Sequence, residues 1–236
     1  MTRRRWFADE VSGDRAALVG AHATHLVQVL RAQLGQQFDI STVSGVREGR
    51  IVNIAPERVE FELGDVLDAA QVLDLTLLLS IFKFDRMEWA IEKCVELGVA
   101  RIIPVIARRT ESHLAAAAVK RSERWRKIAV QAVEQSRRTH LPQISAPAKL
   151  TEAVKSHTGT RVVLSEVEHT RTLKSGFVDH STGPITLAIG PEGGWTSEEL
   201  QSFVQAGWIS ASLGNTILRV ETAAIAAVAI TISTLS

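Results

Sequence analysis

From Leu73 onward the chain alternates short, almost uninterrupted apolar runs with longer amphipathic stretches. That rhythm restricts the second part of the molecule to a parallel sheet covered by helices on both faces, an α/β architecture. Leu73 to Ile81 (LDLTLLLSI) has the composition of a strand buried on both sides. Asp85 to Leu97 is expected to be helical, with Trp89, Ala90, Cys94 and Leu97 lining one side and Gly98 ending it. Ile102 to Ala107 reads as the next buried strand. Ser122 to Arg137 reads as a long amphipathic helix with Trp125, Ile128, Ala132 and Val133 on its apolar face. Further strands are expected at Arg161 to Leu164, Ile185 to Ile189 and Ile209 to Leu213. A helix should start at Thr196, and an apolar helix should follow the last strand.

The preceding segment has a different texture. Gln37 to Val43 and Arg50 to Ile54 are short runs with β-branched residues, separated by Ser44-Gly45 and Glu48-Gly49 turn signals. Glu57 to Leu63 alternates as a half-buried strand does. One helix interrupts them: in HATHLVQVLRA, Leu26, Val29 and Leu30 fall on one face, and Gly35 follows as a stop. A small β-barrel with one helix fits residues 1–70, and the α/β domain fits residues 71–236, with the boundary near 68–72.

Composition narrows the function classes. With 236 residues, 45% apolar content and a formal net charge of +1, the chain is too apolar and too neutral to be disordered. A single cysteine, Cys94, excludes a disulfide scaffold and a Cys-rich zinc site, and suits a reducing, cytoplasmic location. The basic start MTRRRWFADE is followed by no apolar core and does not read as a secretory signal. Thr222 to Leu235 is uncharged but falls short of the ~20 residues a membrane span needs. Near-neutrality also hides asymmetry: residues 1–70 carry a net −2, whereas residues 101–140 carry a net +7. Arginines pair bidentately with phosphate and release its counterions, so the basic stretch and Arg3, Arg4 and Arg5 point to RNA or phosphate. The competing reading is a solvated helix face.

Several chemistries lack their motifs. There is no GxxxxGK[ST] phosphate loop, no GxGxxG after a strand, no HExxH, no CxxC and no GxSxG. His22 and His25 form HxxH without further ligands in evident reach, so no metal is expected.

Two motifs are present. In the first, IGPEGGWTSEEL at 189–200, a buried strand leads into Gly190-Pro191-Glu192-Gly193-Gly194, and Thr196 with Glu199 forms a T-x-x-E capping box that sets a helix start. Glycines there permit positive φ and close approach of a ligand to the backbone, at the strand ends where parallel α/β sheets bind ligands. In the second, LGNTILRVETAAIAA at 213–227, Arg219 and Glu221 stand immediately before an Ala-rich apolar helix. Glu221 is favoured there by the helix dipole. Arg219 has no such explanation.

These motifs resemble those of the ribosomal RNA small-subunit methyltransferase E family, a branch of the SPOUT superfamily. The family's IGPEGG(W/F)xxxE and LGxxILRxETA patterns match residues 189–199 and 213–223. Lys83, Arg86, Glu92, Lys93, ELGV at 96–99, Arg108, ERWRKIAVQAVEQSRR at 123–138 and HLVQVLRAQLGQQFDI at 25–40 extend the similarity over nearly the whole chain. Thr216 departs from it, since the family often carries arginine there. The resemblance implies a PUA-like N-terminal RNA-binding domain, a C-terminal domain with a deep trefoil knot, and a homodimer. It also implies S-adenosylmethionine-dependent methylation of a uracil N3 in 16S ribosomal RNA.

The resemblance further implies a cofactor pocket made by Leu164, Ser165 and Glu166, by Gly190, Pro191, Glu192, Gly193 and Gly194, and by Leu213, Gly214, Ile217 and Leu218. Arg219 is the candidate to stabilise negative charge on a uracil carbonyl, and Glu221 the candidate carboxylate for proton removal. Arg3, Arg4, Arg5, Arg31, Lys83, Arg86, Arg108, Arg109, Arg137 and Arg138 are the candidate RNA contacts. The alternatives are a SPOUT ribose 2′-O methyltransferase and a non-catalytic RNA-binding assembly factor.

Overall fold

The computed structural model describes residues 5–42, 45–67, 73–136, 138, 140–177 and 183–235. Arg3, Arg4, Arg137, Val43 and the 68–72 boundary lie outside the described residues. The chain divides into two compact units, Met1–Gln71 with Ser136–His140, and Val72–Gln135 with Leu141–Ser236.

The first unit is a six-stranded mixed sheet. Its strands are β1 (Arg5–Phe7), β2 (Glu10–Ser12), β3 (Arg15–Val19), β4 (Gln37–Thr42), β5 (Gly45–Ala55) and β6 (Arg58–Leu67), in the order β1-β4-β5-β6-β3-β2. Only the β1–β4 pairing is parallel. Leu18, Leu26, Phe38, Ile40, Ile51, Val59 and Phe61 form its core. The register of β5 shifts between Arg47 and Gly49, and a Cβ at Gly49 would run into the Ile40 side chain. Gly49→Ala is therefore expected to lower stability by about 1–3 kcal/mol, as overpacked cores do, measured as a shift in the urea midpoint with little change in slope.

The helix of this unit, α1 (Ala21–Thr24), continues as a π-helical turn over His25–Val29, with Leu30 N–H donating to His25 O at 3.2 Å. A π turn is wider than 3.6 residues per turn. Leu26 is buried and Leu30 packs against the same core, as expected, but Val29 is 64% exposed and leaves that face.

The second unit holds β7 (Leu75–Ser80), β8 (Arg101–Ile106), β9 (Gln143–Ile144), β10 (Ala148–Lys149), β11 (Thr160–Leu164), β12 (Ile185–Ile189) and β13 (Ile209–Ala211). The order is β10-β8-β7-β12-β11-β13, with β9 beside β8, and every pairing is parallel. All residues of β7 and β12 are buried, as their unbroken apolar runs require. The helices are α2 (Phe84–Leu97), α3 (Ser112–Ser136), α4 (Leu150–Ala153), α5 (Ser197–Gln205) and α6 (Val220–Leu235).

The inward face of α2 is Met87, Ala90, Ile91, Cys94 and Val95, so the expected face is rotated: Trp89 is 47% and Leu97 37% exposed. Helix α3 starts ten residues before the expected Ser122, because His113 to Val119 (HLAAAAV) propagates a helix without a breaker. Helix α6 packs on α2, and a Cβ at Gly98 would lie 2.9 Å from Ile232 Cδ1. No helix among the described residues is long and apolar enough to cross a membrane.

Candidate functional site

The sheet order makes a switch point. From β7 the chain moves outward to β8, then returns to the other side of β7 to lay down β11 at a distance and β12 between them. Crevices outside the carboxyl ends of strands at such points bind ligands. A pocket opens there, walled by Leu164 to Val167 at the end of β11, Ile189 to Pro191 at the end of β12, and Ser212, Leu213, Gly214, Thr216, Ile217 and Leu218 after β13. Gly194, Trp195, Leu200, Val220 and Ala223 complete its lining.

Local packing fixes these loops. Trp195 Nε1 donates to Leu164 O at 3.0 Å, joining the loop after β12 to the end of β11. Trp195, Phe203 and Trp208 stack edge to face, with centroids 5.1 and 5.0 Å apart. The capping box of α5 forms: Glu199 N donates to Thr196 Oγ1 at 3.2 Å, and Thr196 N to a Glu199 carboxylate oxygen at 2.8 Å. The other Glu199 oxygen accepts from Arg108 N at 2.7 Å. Gly194 has φ 70°, and a Cβ there would sit 2.8 Å from Glu166 Oε1. The turn thus needs glycine for its backbone and for its neighbour.

Of the cofactor residues the resemblance implies, Leu164, Ser165, Glu166, Gly190, Pro191, Gly194, Leu213, Gly214, Ile217 and Leu218 line this pocket. Glu192 and Gly193 do not. They form the outer edge of the turn, where Glu192 lies 3.8 Å from Arg86 and the Gly193 carbonyl accepts from the Arg109 guanidinium. Val167, Ser212 and Val220 also line the pocket and escaped the sequence reading. Val220 and Ala223 lie one turn apart at the start of α6, a spacing that marks one helix face.

Arg219 is exposed and Glu221 is buried; their neighbours Leu218 and Val220 reach the pocket. Arg86, a candidate RNA contact, stands between the two motifs. Its guanidinium is 3.8 Å from Glu192 and 3.9 Å from Glu221. Glu221 is thus held at the first turn of α6 by both the helix dipole and Arg86.

The other RNA candidates are scattered over both units. Lys83 caps α2 and is exposed, as are Arg108 and Arg109. Arg31 is exposed at φ 51°, Arg5 is 3.7 Å from Asp39, and burial lowers Arg138 to about 10. Part of the basic stretch is paired: Arg124 and Arg121 reach Glu88 at 2.8 and 3.4 Å, and Lys127 reaches Glu123 at 3.5 Å. Cys94 is buried, which pushes its thiol up to about 12 and removes it from chemistry at neutral pH. No metal-holding cluster of His, Cys, Asp or Glu occurs among the described residues.

Comparison with known proteins gives a consistent result. Residues 69–232 match the model of the RNA methyltransferase domain family. Ribosomal RNA small subunit methyltransferase E of Synechocystis is 32% identical over 218 residues, covering 90% of this chain and 71% of that protein. The protein of the same name from Aquifex aeolicus is 25% identical, covering 95% of this chain and 97% of its own length. A crystal structure of a ribosomal RNA small subunit methyltransferase E from Neisseria gonorrhoeae, bound to S-adenosyl methionine, superposes with a TM-score of 0.85 at 32% identity over 98% of both chains. The chain belongs to the RNA methyltransferase family, among the ribosomal RNA small subunit methyltransferase E proteins.

Proposed function

We propose that the protein transfers a methyl group from S-adenosylmethionine to N3 of a specific uridine in 16S ribosomal RNA, and that the pocket at the ends of β11, β12 and β13 holds the cofactor. The observation that carries this reading is the convergence of both sequence motifs on that one pocket. The residues present suit the cofactor. Ile217 lines the pocket yet is 86% exposed, a wall that an adenine ring would cover. The glycine turn at 190–194 lets backbone groups approach a ligand, and the Glu166 carboxylate stands opposite Gly194. When bound, the cofactor supplies an electrophilic methyl on a sulfonium.

The protein's part is then largely positioning. Leu213, Ile217 and Leu218 would hold the ligand together with Gly190, Pro191 and Gly194, which line the same pocket. Uracil N3 sheds its proton before or during attack, leaving negative charge on the flanking carbonyls. Arg219 is exposed beside the pocket-lining Leu218 and supplies the cation that stabilises this charge. Glu221 is the carboxylate nearest Arg219 in sequence and the candidate for proton removal. Its carboxylate lies 3.9 Å from the Arg86 guanidinium. Arg5, Arg31, Lys83, Arg108 and Arg109 contact the RNA backbone, with residues 1–70 as the PUA-like RNA-binding domain and residues 71–236 as the catalytic one. The trefoil knot rests on family membership.

The same reading makes the protein a homodimer through α2 and α6. Helix α6 carries a single charged residue, Glu221, and packs on α2, whose Trp89 and Leu97 remain exposed. Exposed aromatic residues of this kind anchor interfaces. Trp89→Glu is expected to shift the sedimentation coefficient from dimer to monomer at micromolar concentration. A wild-type chain that sediments as a monomer contradicts the assembly. Titration calorimetry with S-adenosylmethionine tests the pocket: one saturable site per chain is expected, and no heat of binding leaves only the non-catalytic alternative.

A further inference from the structure

The loop 168–177 follows the pocket wall and carries three exposed basic groups, His169, Arg171 and Lys174. Its own acid, Glu168, is turned to structural use. The carboxylate accepts from Thr170 N at 2.8 Å, Thr170 Oγ1 at 2.6 Å and Arg171 N at 3.1 Å. These donors hold the group at about 2, well below the ordinary carboxylate range. Glu166, just before the loop, faces the glycine turn instead.

The backbone of the loop is tied to the pocket. Ser212 N donates to Arg171 O at 2.9 Å and Leu173 N to Ser212 O at 2.8 Å, so the loop continues the sheet beyond β13. Ser212 itself lines the pocket. Leu173 is 1% exposed and anchors the segment, and the Thr172 and Ser175 hydroxyls close the turn at 3.1 Å. The Arg171 stem lies along Gly176, with Cδ 3.8 Å from the position a Cβ would take.

The charges on this frame are uncommitted. Among the described residues Arg171 and Lys174 form no ion pair, whereas Arg86, Lys93, Arg121, Arg124 and Lys127 of the same unit each lie within 4.0 Å of a carboxylate. A cation on a backbone already ordered loses less entropy on meeting a phosphate than one on a mobile tail. We propose that this loop is a phosphate-binding lip that holds the RNA strand across the mouth of the pocket, with Arg171 and Lys174 as its contacts. The proposal rests on the reading of the protein as an RNA methyltransferase. It adds the rim of the site to the expected RNA surface.

The test compares the wild-type full-length chain with the double variant Arg171→Gln, Lys174→Gln, and with Lys155→Gln, which removes an exposed cation before the start of β11, at the opposite end of the strands. Binding to naked 16S ribosomal RNA and to small subunits is measured against salt. The double variant should reduce the log–log salt slope by roughly 1.4–1.8, at 0.7–0.9 per lost phosphate contact. It should also raise KM for RNA about tenfold while leaving the S-adenosylmethionine Kd unchanged. Lys155→Gln should do neither. An unchanged slope and KM with wild-type methyl transfer intact overturns the lip and leaves the enzyme reading standing. A loss seen with small subunits but not with naked RNA assigns the loop to a ribosomal protein and also overturns it. If the wild type transfers no methyl and binds RNA without salt dependence, both readings fall.

Discussion

Gly194→Ala should weaken S-adenosylmethionine binding by at least tenfold while the protein stays folded. Gly194 has φ 70°, a conformation costing an L-residue about 1–2 kcal/mol, and its added Cβ would stand 2.8 Å from Glu166 Oε1. Relief requires the Glu166 carboxylate to move or the glycine turn to open, and both line the proposed cofactor pocket. Calorimetry gives the affinity, and near-ultraviolet dichroism of Trp195, buried beside the turn, reports whether the loop is retained. Glu166→Ala in the Gly194→Ala background removes the colliding carboxylate and should recover part of the loss. No recovery would place the effect in the backbone alone.

Arg219→Ala should lower the single-turnover rate of methyl transfer by about 10²–10³-fold, the range seen when one charge-stabilising donor is removed. The S-adenosylmethionine Kd should stay within about twofold, because Leu218 and Val220, not Arg219, reach the pocket. A wild-type single-turnover rate would remove Arg219 from the chemistry. Stability should hardly change, since the side chain is exposed and its substitution creates no cavity.

The elements legible in the sequence are those whose signal is local. Strand β12 has the bounds its apolar run indicates, because all five of its residues are buried. The start of α5 follows from Thr196 and Glu199, which form the reciprocal cap that their spacing implies. What escaped is set by tertiary packing. Periodicity carries no information on strand order, so the insertion of β12 between β7 and β11, which makes the crevice, could not be read. The buried face of α2 shares Ala90 and Cys94 with the expected one but turns away from Trp89 and Leu97 toward Met87, Ile91 and Val95, a rotation that tertiary packing and not periodicity decides. The approach of Arg86 to Glu192 and Glu221 could not be read either, because both carboxylates are far away in the chain. The loop 168–177 has no apolar period at all. Its order comes from Glu168 and from pairing with Ser212, neither of which a linear pattern shows.

The charge asymmetry was informative in a similarly partial way. The net +7 over residues 101–140 is real, but Glu88 from α2 neutralises part of it on folding. Net charge on a segment therefore overstates the phosphate-binding surface wherever another element supplies carboxylates.

The central claim is tested most directly by incubating the protein with methyl-labelled S-adenosylmethionine and small ribosomal subunits or naked 16S ribosomal RNA, then digesting the RNA and identifying the labelled nucleoside by mass spectrometry. The expected product is 3-methyluridine at a single position. Label recovered on a ribose 2′ oxygen, or no transfer to either substrate, would contradict it.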